Sequence, residues 1–176
     1  MSERNDCDEC GFRDDALTMA DAIEALPAFG PRYRKRLTEV EPALLRRRPG
    51  PDVWSPLEYA AHVRDVFAWY DEWVGRSLVE DRPVVLAPTP DDAAKLGRYN
   101  ETHPEEVAVA LAANAERLAA TFEGIPEEAW PLVHVRRGHE RSVLFTARRA
   151  VHEGDHHLLD IDRALGAPRR QDDIDV

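Results

Sequence analysis

The chain has 176 residues, the size of one domain, long enough to bury a real core and too short for two comfortable ones. Its formal net charge of −11 argues against nucleic acid or an anionic membrane surface as the main partner, because binding either depends on cationic side chains. No apolar run approaches bilayer length, and the opening MSERNDCDEC has no basic segment followed by an apolar one, so a cytoplasmic protein acting on a small molecule is expected.

Residues 1–16 are polar and charged and read as an N-terminal arm. They hold both of the chain's two cysteines, Cys7 and Cys10, in CDECGF. A Cys-x-x-Cys-Gly knuckle is half of a tetrahedral zinc site, and no second cysteine pair completes it. Three readings stay open: a flexible reduced tail, a redox pair, or two metal ligands completed by histidines or by another subunit. The lack of a βαβ pattern around the motif weighs against catalytic redox use. Thr18 caps a first helix, with Ala22, Ile23 and Leu26 on its apolar side. Pro27, Gly30 and Pro31 interrupt or re-angle it, and Phe29, Tyr33, Leu37, Val40 and Leu44 continue at helical spacing past a kink or restart at Pro42. The arginine run in RRRPGPD, residues 46–52, reads as a solvated helix end whose charge suits a helix C-terminus.

Ser55-Pro56-Leu57-Glu58 is a capping box with proline at the first helical position, so helix two runs from there to about Val79. His62 shares its inward face with Val66, Trp69 and Trp73, either as a hydrogen-bonded core histidine or as a ligand. Asp65, nearly one turn on, either orients an imidazole or a water as a catalytic group, or pairs with Arg64 or a neighbouring base. Residues 83–103 form a long connection with Pro83, Pro88 and Pro90, in which residues 91–98 make one helical turn or two. At its end, Tyr99 and Asn100 either line a substrate pocket or simply pack and turn. Pro104, Glu105 and Glu106 open helix three, whose apolar face is Val107, Leu111, Leu118 and Phe122 and which ends at Gly124. Residues 125–141 form a second irregular connection; residues 132–135 suit a short extended piece, with nothing to support a sheet. Ser142 and Gly166 bracket helix four, and a polar tail occupies residues 167–176. The architecture expected for residues 17–166 is all-α, a four-helix bundle with long connections between helices two and three and between three and four.

Helix four carries His152, His156 and His157. His152 and His156 are four residues apart and share a face, so both can turn a ring nitrogen toward one ion. Inward side chains of different helices meet in a bundle, which brings His62 into reach as a third ligand. Three neutral imidazoles suit Zn²⁺, with Ni²⁺ and Fe²⁺ as alternatives, and leave a fourth position for water or substrate. His157 lies about a quarter-turn away between Glu153 and Asp160, and these three read as a supporting ridge. A locally distorted helix presenting His157 in place of His156 stays open. Arg149, on the histidine face, is either a carboxylate-binding group or a solvated arginine.

The segments WSPLEYAAHVRDV (54–66), YNETHPEE (99–106) and VHEGDHHLLDI (151–161), with the Cys-x-x-Cys-Gly-Phe lead-in, resemble the DinB-like superfamily, in particular its actinobacterial branch, over roughly residues 17–166. The resemblance implies a divalent metal held by one histidine of helix two and a His-x-x-x-His of helix four, which correspond here to His62, His152 and His156. It implies thiol-dependent S-transferase or isomerase chemistry with mycothiol or bacillithiol, and a homodimer. The expected function is metal activation of a low-molecular-weight thiol for transfer to, or isomerisation of, a small electrophile. The competing readings are hydrolysis by a metal-activated water and a metal-binding, stress-associated bundle without turnover.

Overall fold

A computed structural model describes residues 6–166; the expected C-terminal tail lies outside the described residues. The element order is α1 (Met19–Thr38), α2 (Pro42–Leu45), α3 (Pro56–Val79), α4 (Pro90–Leu96), α5 (Pro104–Glu123), β1 (Val133–Arg136), β2 (His139–Ser142) and α6 (Val143–Ala164). The four long helices α1, α3, α5 and α6 make the bundle. Both α1 and α3 pack against α5 and α6 and scarcely touch each other, so they lie on opposite corners.

Each long helix starts where its local chemistry dictates. Thr18 and Asp21 form a reciprocal capping box ahead of α1, and Ser55 and Glu58 do the same for α3. Pro104 opens α5, and the Ser142 hydroxyl accepts from the Phe145 N–H at the start of α6. Pro27 and Pro31 lie inside α1 and do not end it. Each removes a backbone hydrogen bond; tight packing offsets that loss, because a Cβ on Gly30 would stand 2.9 Å from that of Ala112 on α5. Pro42 restarts the chain as the short α2.

The arginine run is more than a solvated end. Arg48 forms a two-pronged ion pair with the buried Glu58, its Nε 2.8 Å from Oε2. Arg46 Nη1 donates to the carbonyls of Asn100 and Thr102 at 2.6 and 3.0 Å, which fastens the end of the long connection to the end of α2.

The second connection does contain a sheet, contrary to the reading of residues 125–141 as irregular. β1 and β2 pair antiparallel with Val133 opposite Ser142 and Arg136 opposite His139. The turn is Arg137-Gly138, both left-handed at φ 50° and 79°, the two-residue geometry whose twist matches the strands. Val85 N–H donates to Val135 O, and Val135 N–H to Pro83 O, so the start of the first long connection is laced to the hairpin.

Candidate metal centre

Helix α6 presents two ligand pairs on adjacent faces. A residue advances about 100° around an α-helix, so positions four apart nearly coincide while neighbours diverge by about a quarter-turn or more. His152 and His156 form one pair, Glu153 and His157 the other, and the surrounding elements treat them differently. α3 packs against the face of Glu153 and His157. The N-terminal arm lies over the face of His152 and His156.

On the first face, His62 of α3, Glu153 and His157 bring one ligand atom each within 4.8 Å of one another. Glu153 Oε2 stands 3.5 Å from His62 Nε2 and 3.2 Å from His157 Nε2. The two rings are 5.0 Å apart and nearly perpendicular. The opposite nitrogen of His157, Nδ1, lies 2.9 Å from Asp160 Oδ2, which orients the ring with Nε2 toward Glu153. The other Glu153 oxygen pairs with Arg149. His62 Nδ1 is buried without a hydrogen-bond partner.

The electrostatics of the cluster are polarised. Burial alone would raise the Glu153 pKa, but hydrogen bonds from His157 and His62 and the charge of Arg149 hold it well below the usual carboxylate range. Burial alone would lower His157; Asp160 and Glu153 outweigh it and raise it to about 9. A buried carboxylate facing two imidazoles is a hard-anion and nitrogen donor set that fits a divalent cation. Two histidines and a glutamate are also a set that leaves a coordination position open in catalytic zinc sites.

The cluster forms the floor of a cleft of about 680 Å³, whose lining also includes His152 and His156. Trp54, Tyr59, Trp69 and Trp73 line it as an aromatic wall, while Arg136 and Arg137 reach it from the hairpin. Arg136 lies 4.9 Å over the Trp73 ring, and its Nε is buried with no hydrogen-bond partner.

On the second face, Cys7, Cys10, His152 and His156 also place one ligand atom each within 4.8 Å of one another. Cys7 Sγ is 3.4 Å from His156 Nδ1. Burial, with Cys7 beside it, pushes the Cys10 thiol up to about 11. His152 is lowered to about 4 by burial and by Arg149.

A profile of the DinB superfamily matches residues 28–161. The chain belongs to the DinB superfamily. Its fold is similar to that of YfiT from Bacillus subtilis, a probable metal-dependent hydrolase with an unusual four-helix bundle topology, at TM-score 0.75 and 13% identity over 96% of this chain and 95% of that one. It is also similar to a mycothiol-dependent maleylpyruvate isomerase, at TM-score 0.67 and 15% identity over 84% of this chain and 62% of that one. The DinB chain thus spans less than two thirds of the isomerase. At these identities both likenesses speak to the fold. Comparison with curated proteins gives no match.

Within this DinB bundle the expected trio of His62, His152 and His156 all line the cleft, but the ligand atoms that converge fall into two other groups. His62 meets Glu153 and His157, the residues read as a supporting ridge, while His152 and His156 meet the cysteines of the arm. Asp160 Oδ2 lies 2.9 Å from His157 Nδ1 and 3.5 Å from His156 Nε2. Arg149 lines the cleft, but its guanidinium is engaged by Glu153 and by His152 Nδ1 at 3.1 Å.

Three other expected site residues stand apart from the cleft lining. Asp65 accepts from Tyr99 Oη at 2.5 Å and from Arg64 Nε at 2.6 Å. Asn100 accepts from Ser55 Oγ at 2.8 Å and donates to Arg46 O at 3.0 Å. Together they fasten residues 99–102 to α3, the role their polar partners dictate. Arg136 and Arg137 were missed, because their access to the cleft depends on a hairpin whose Arg-Gly turn lacks the usual Asn-Gly or Asp-Gly signal. Among the described residues, no helix is long and apolar enough to cross a membrane.

Proposed function

We propose that this DinB-superfamily chain is a metal-dependent enzyme whose ion is held by His62, Glu153 and His157 and whose co-substrate is a low-molecular-weight thiol such as mycothiol. The reaction is transfer of that thiol to a small electrophile or thiol-assisted isomerisation of it. The observation that carries this reading is the convergence of His62 Nε2, Glu153 Oε2 and His157 Nε2 at the floor of an aromatic-walled cleft. A divalent ion bound there lowers the pKa of a thiol or a water into the neutral range.

The chain's own groups do the rest. Asp160 fixes the His157 tautomer, Arg149 holds the Glu153 carboxylate in place, and the tryptophan wall displaces water from the reacting groups. Arg136 and Arg137 give the cleft a cationic end suited to a carboxylate on the electrophile. Zinc suits the two nitrogens and one oxygen, and nickel or iron(II) are accepted by the same donors.

A second reading, hydrolysis through an activated water, draws on the likeness to YfiT over nearly the full length of both chains. The test is turnover of the metal-loaded protein with a thiol plus an electrophile panel, set against ester and amide substrates without thiol. Thiol-dependent turnover that His62→Ala abolishes, with the helical circular dichroism kept, is the expected result. Thiol-independent hydrolysis favours the second reading, and a metal-bound protein inert in both assays favours a binding bundle without turnover.

A further inference from the structure

The cysteines of the arm and the two histidines left over on α6 are unused by the proposed centre. Their arrangement is built rather than incidental. The arm folds into a knuckle in which the Cys7 N–H donates to Phe12 O at 3.0 Å and Gly11 takes φ 76°, a conformation that glycine reaches without strain. Phe12 stacks on the His152 ring, centroids 4.9 Å apart and planes 18° from parallel. Arg163 on α6 reaches Glu9 at 3.0 Å, and Arg148 on α6 donates to Leu17 O at 2.8 Å. The knuckle is therefore held against one face of α6 along its length.

We infer that Cys7, Cys10, His152 and His156 form a second, closed metal site that takes one Zn²⁺ in tetrahedral Cys₂His₂ coordination and pins the arm to α6. The Cys7 Sγ to His156 Nδ1 separation of 3.4 Å is close to a tetrahedral edge; zinc–sulfur and zinc–nitrogen bonds of about 2.3 and 2.0 Å put that edge at roughly 3.5 Å. The far nitrogen of His156, Nε2, faces Asp160 Oδ2 at 3.5 Å, the carboxylate–histidine–metal arrangement that steadies a ligating ring. His152 is only 7% exposed, and its Nε2 is a buried atom with no hydrogen-bond partner. Coordination through that nitrogen satisfies it and moves the ring proton to Nδ1, whereupon Arg149 gives up that contact and keeps Glu153.

The balance is simple: Zn²⁺ and two thiols give a dithiolate complex and two released protons, with no change of oxidation state. Four protein ligands leave no open position, so the site is structural. Because His152 and His156 alternate along α6 with Glu153 and His157, the two ions would sit on adjacent faces of one helix. The site rests on its own four residues and does not depend on the proposed enzymatic reading.

The test is Co²⁺ titration of the chemically reduced, metal-stripped full chain, read by absorption and by metal analysis. The expected wild-type result is two equivalents of Co²⁺ per chain, with a thiolate-to-cobalt charge-transfer band and the intense visible bands of tetrahedral cobalt. Cys7→Ser/Cys10→Ser should lose the charge-transfer band and one equivalent while keeping its helical circular dichroism; His62→Ala should lose one equivalent and keep the band. Co²⁺ uptake without a thiolate band, or a cysteine double variant that still takes up two equivalents, overturns the inference. A wild type that binds one equivalent with the thiolate band sustains this site and instead removes the one at His62.

Discussion

Two histidines side by side in sequence, His156 and His157, answer to different faces of the bundle. His157 turns toward α3, with Nε2 beside Glu153 and Nδ1 on Asp160. His156 turns toward Cys7. The spacing rule that couples residues four apart holds for both pairs; which pair meets His62 is decided by the angle at which α6 rolls against α3, and a single sequence does not carry that angle. Asp160 is the residue on which the proposed centre's geometry turns. In a Cys7→Ser/Cys10→Ser background, Asp160→Asn should weaken divalent-metal binding by about 10–100-fold with the fold intact, as measured by competition with a chromogenic chelator; unchanged affinity would mean that the His157 tautomer is fixed by something else. A second residue-scale expectation concerns His134 in β1, buried against Trp73 with ring centroids 5.5 Å apart. Burial, helped by Arg136 and Arg141, lowers it from 6.5 to about 4. The unfolded chain therefore takes up a proton that the folded one refuses, and stability falls as pH drops from 6.5 toward 4. At pH 5 the loss from this group is about 2 kcal/mol. Urea unfolding of metal-free wild type and His134→Gln at pH 7.5 and pH 5 checks it: the variant should show the smaller drop, and equal drops would contradict the assignment.

Among the elements, the long helices are the most legible part of the chain. Each has a cap, a proline at its start or an acidic first turn, and an apolar stripe, and these local signals agree with the packed result. The short elements are less legible. The β1–β2 hairpin is closed by Arg137-Gly138 and tied to residues 83–85, a tertiary contact that no local pattern announces. Asp65, Tyr99 and Asn100 look like site residues because they are polar and near a motif, yet Asp65 and Tyr99 bond to each other and Asn100 to Ser55 at the start of α3, tying the connection to that helix. The junction of α1 and α6 yields a prediction of its own. A Cβ on Gly154 would stand 2.4 Å from Phe29 Cζ, and Phe29 is fully buried. Gly154→Ala should thus destabilise the bundle by about 1–3 kcal/mol in denaturant unfolding, against a propensity gain of about 1 kcal/mol that would prevail at an open helical site. Adding Phe29→Leu should recover part of the loss. A stabilised Gly154→Ala would show that the two helices do not meet so closely.

The whole molecule is a four-helix frame whose two diagonal helices, α1 and α3, are bridged by α5 and α6. α6 is where the chemistry concentrates. Its one face meets His62 of α3 and its adjacent face receives the arm, so four ligand groups that alternate over residues 152–157 fall into two donor sets. The His-x-x-x-His spacing, the inward His62 and the resemblance to the DinB superfamily all point to this helix. What they leave undetermined is which of its faces meets His62, and therefore which of two interleaved donor sets holds the ion of the cleft. A crystal structure of the metal-loaded protein with anomalous data at the metal's absorption edge addresses that directly. The account predicts an anomalous peak between His62 Nε2, Glu153 Oε2 and His157 Nε2, at the floor of the cleft; a peak coordinated by His62, His152 and His156, or none at that floor, would contradict it.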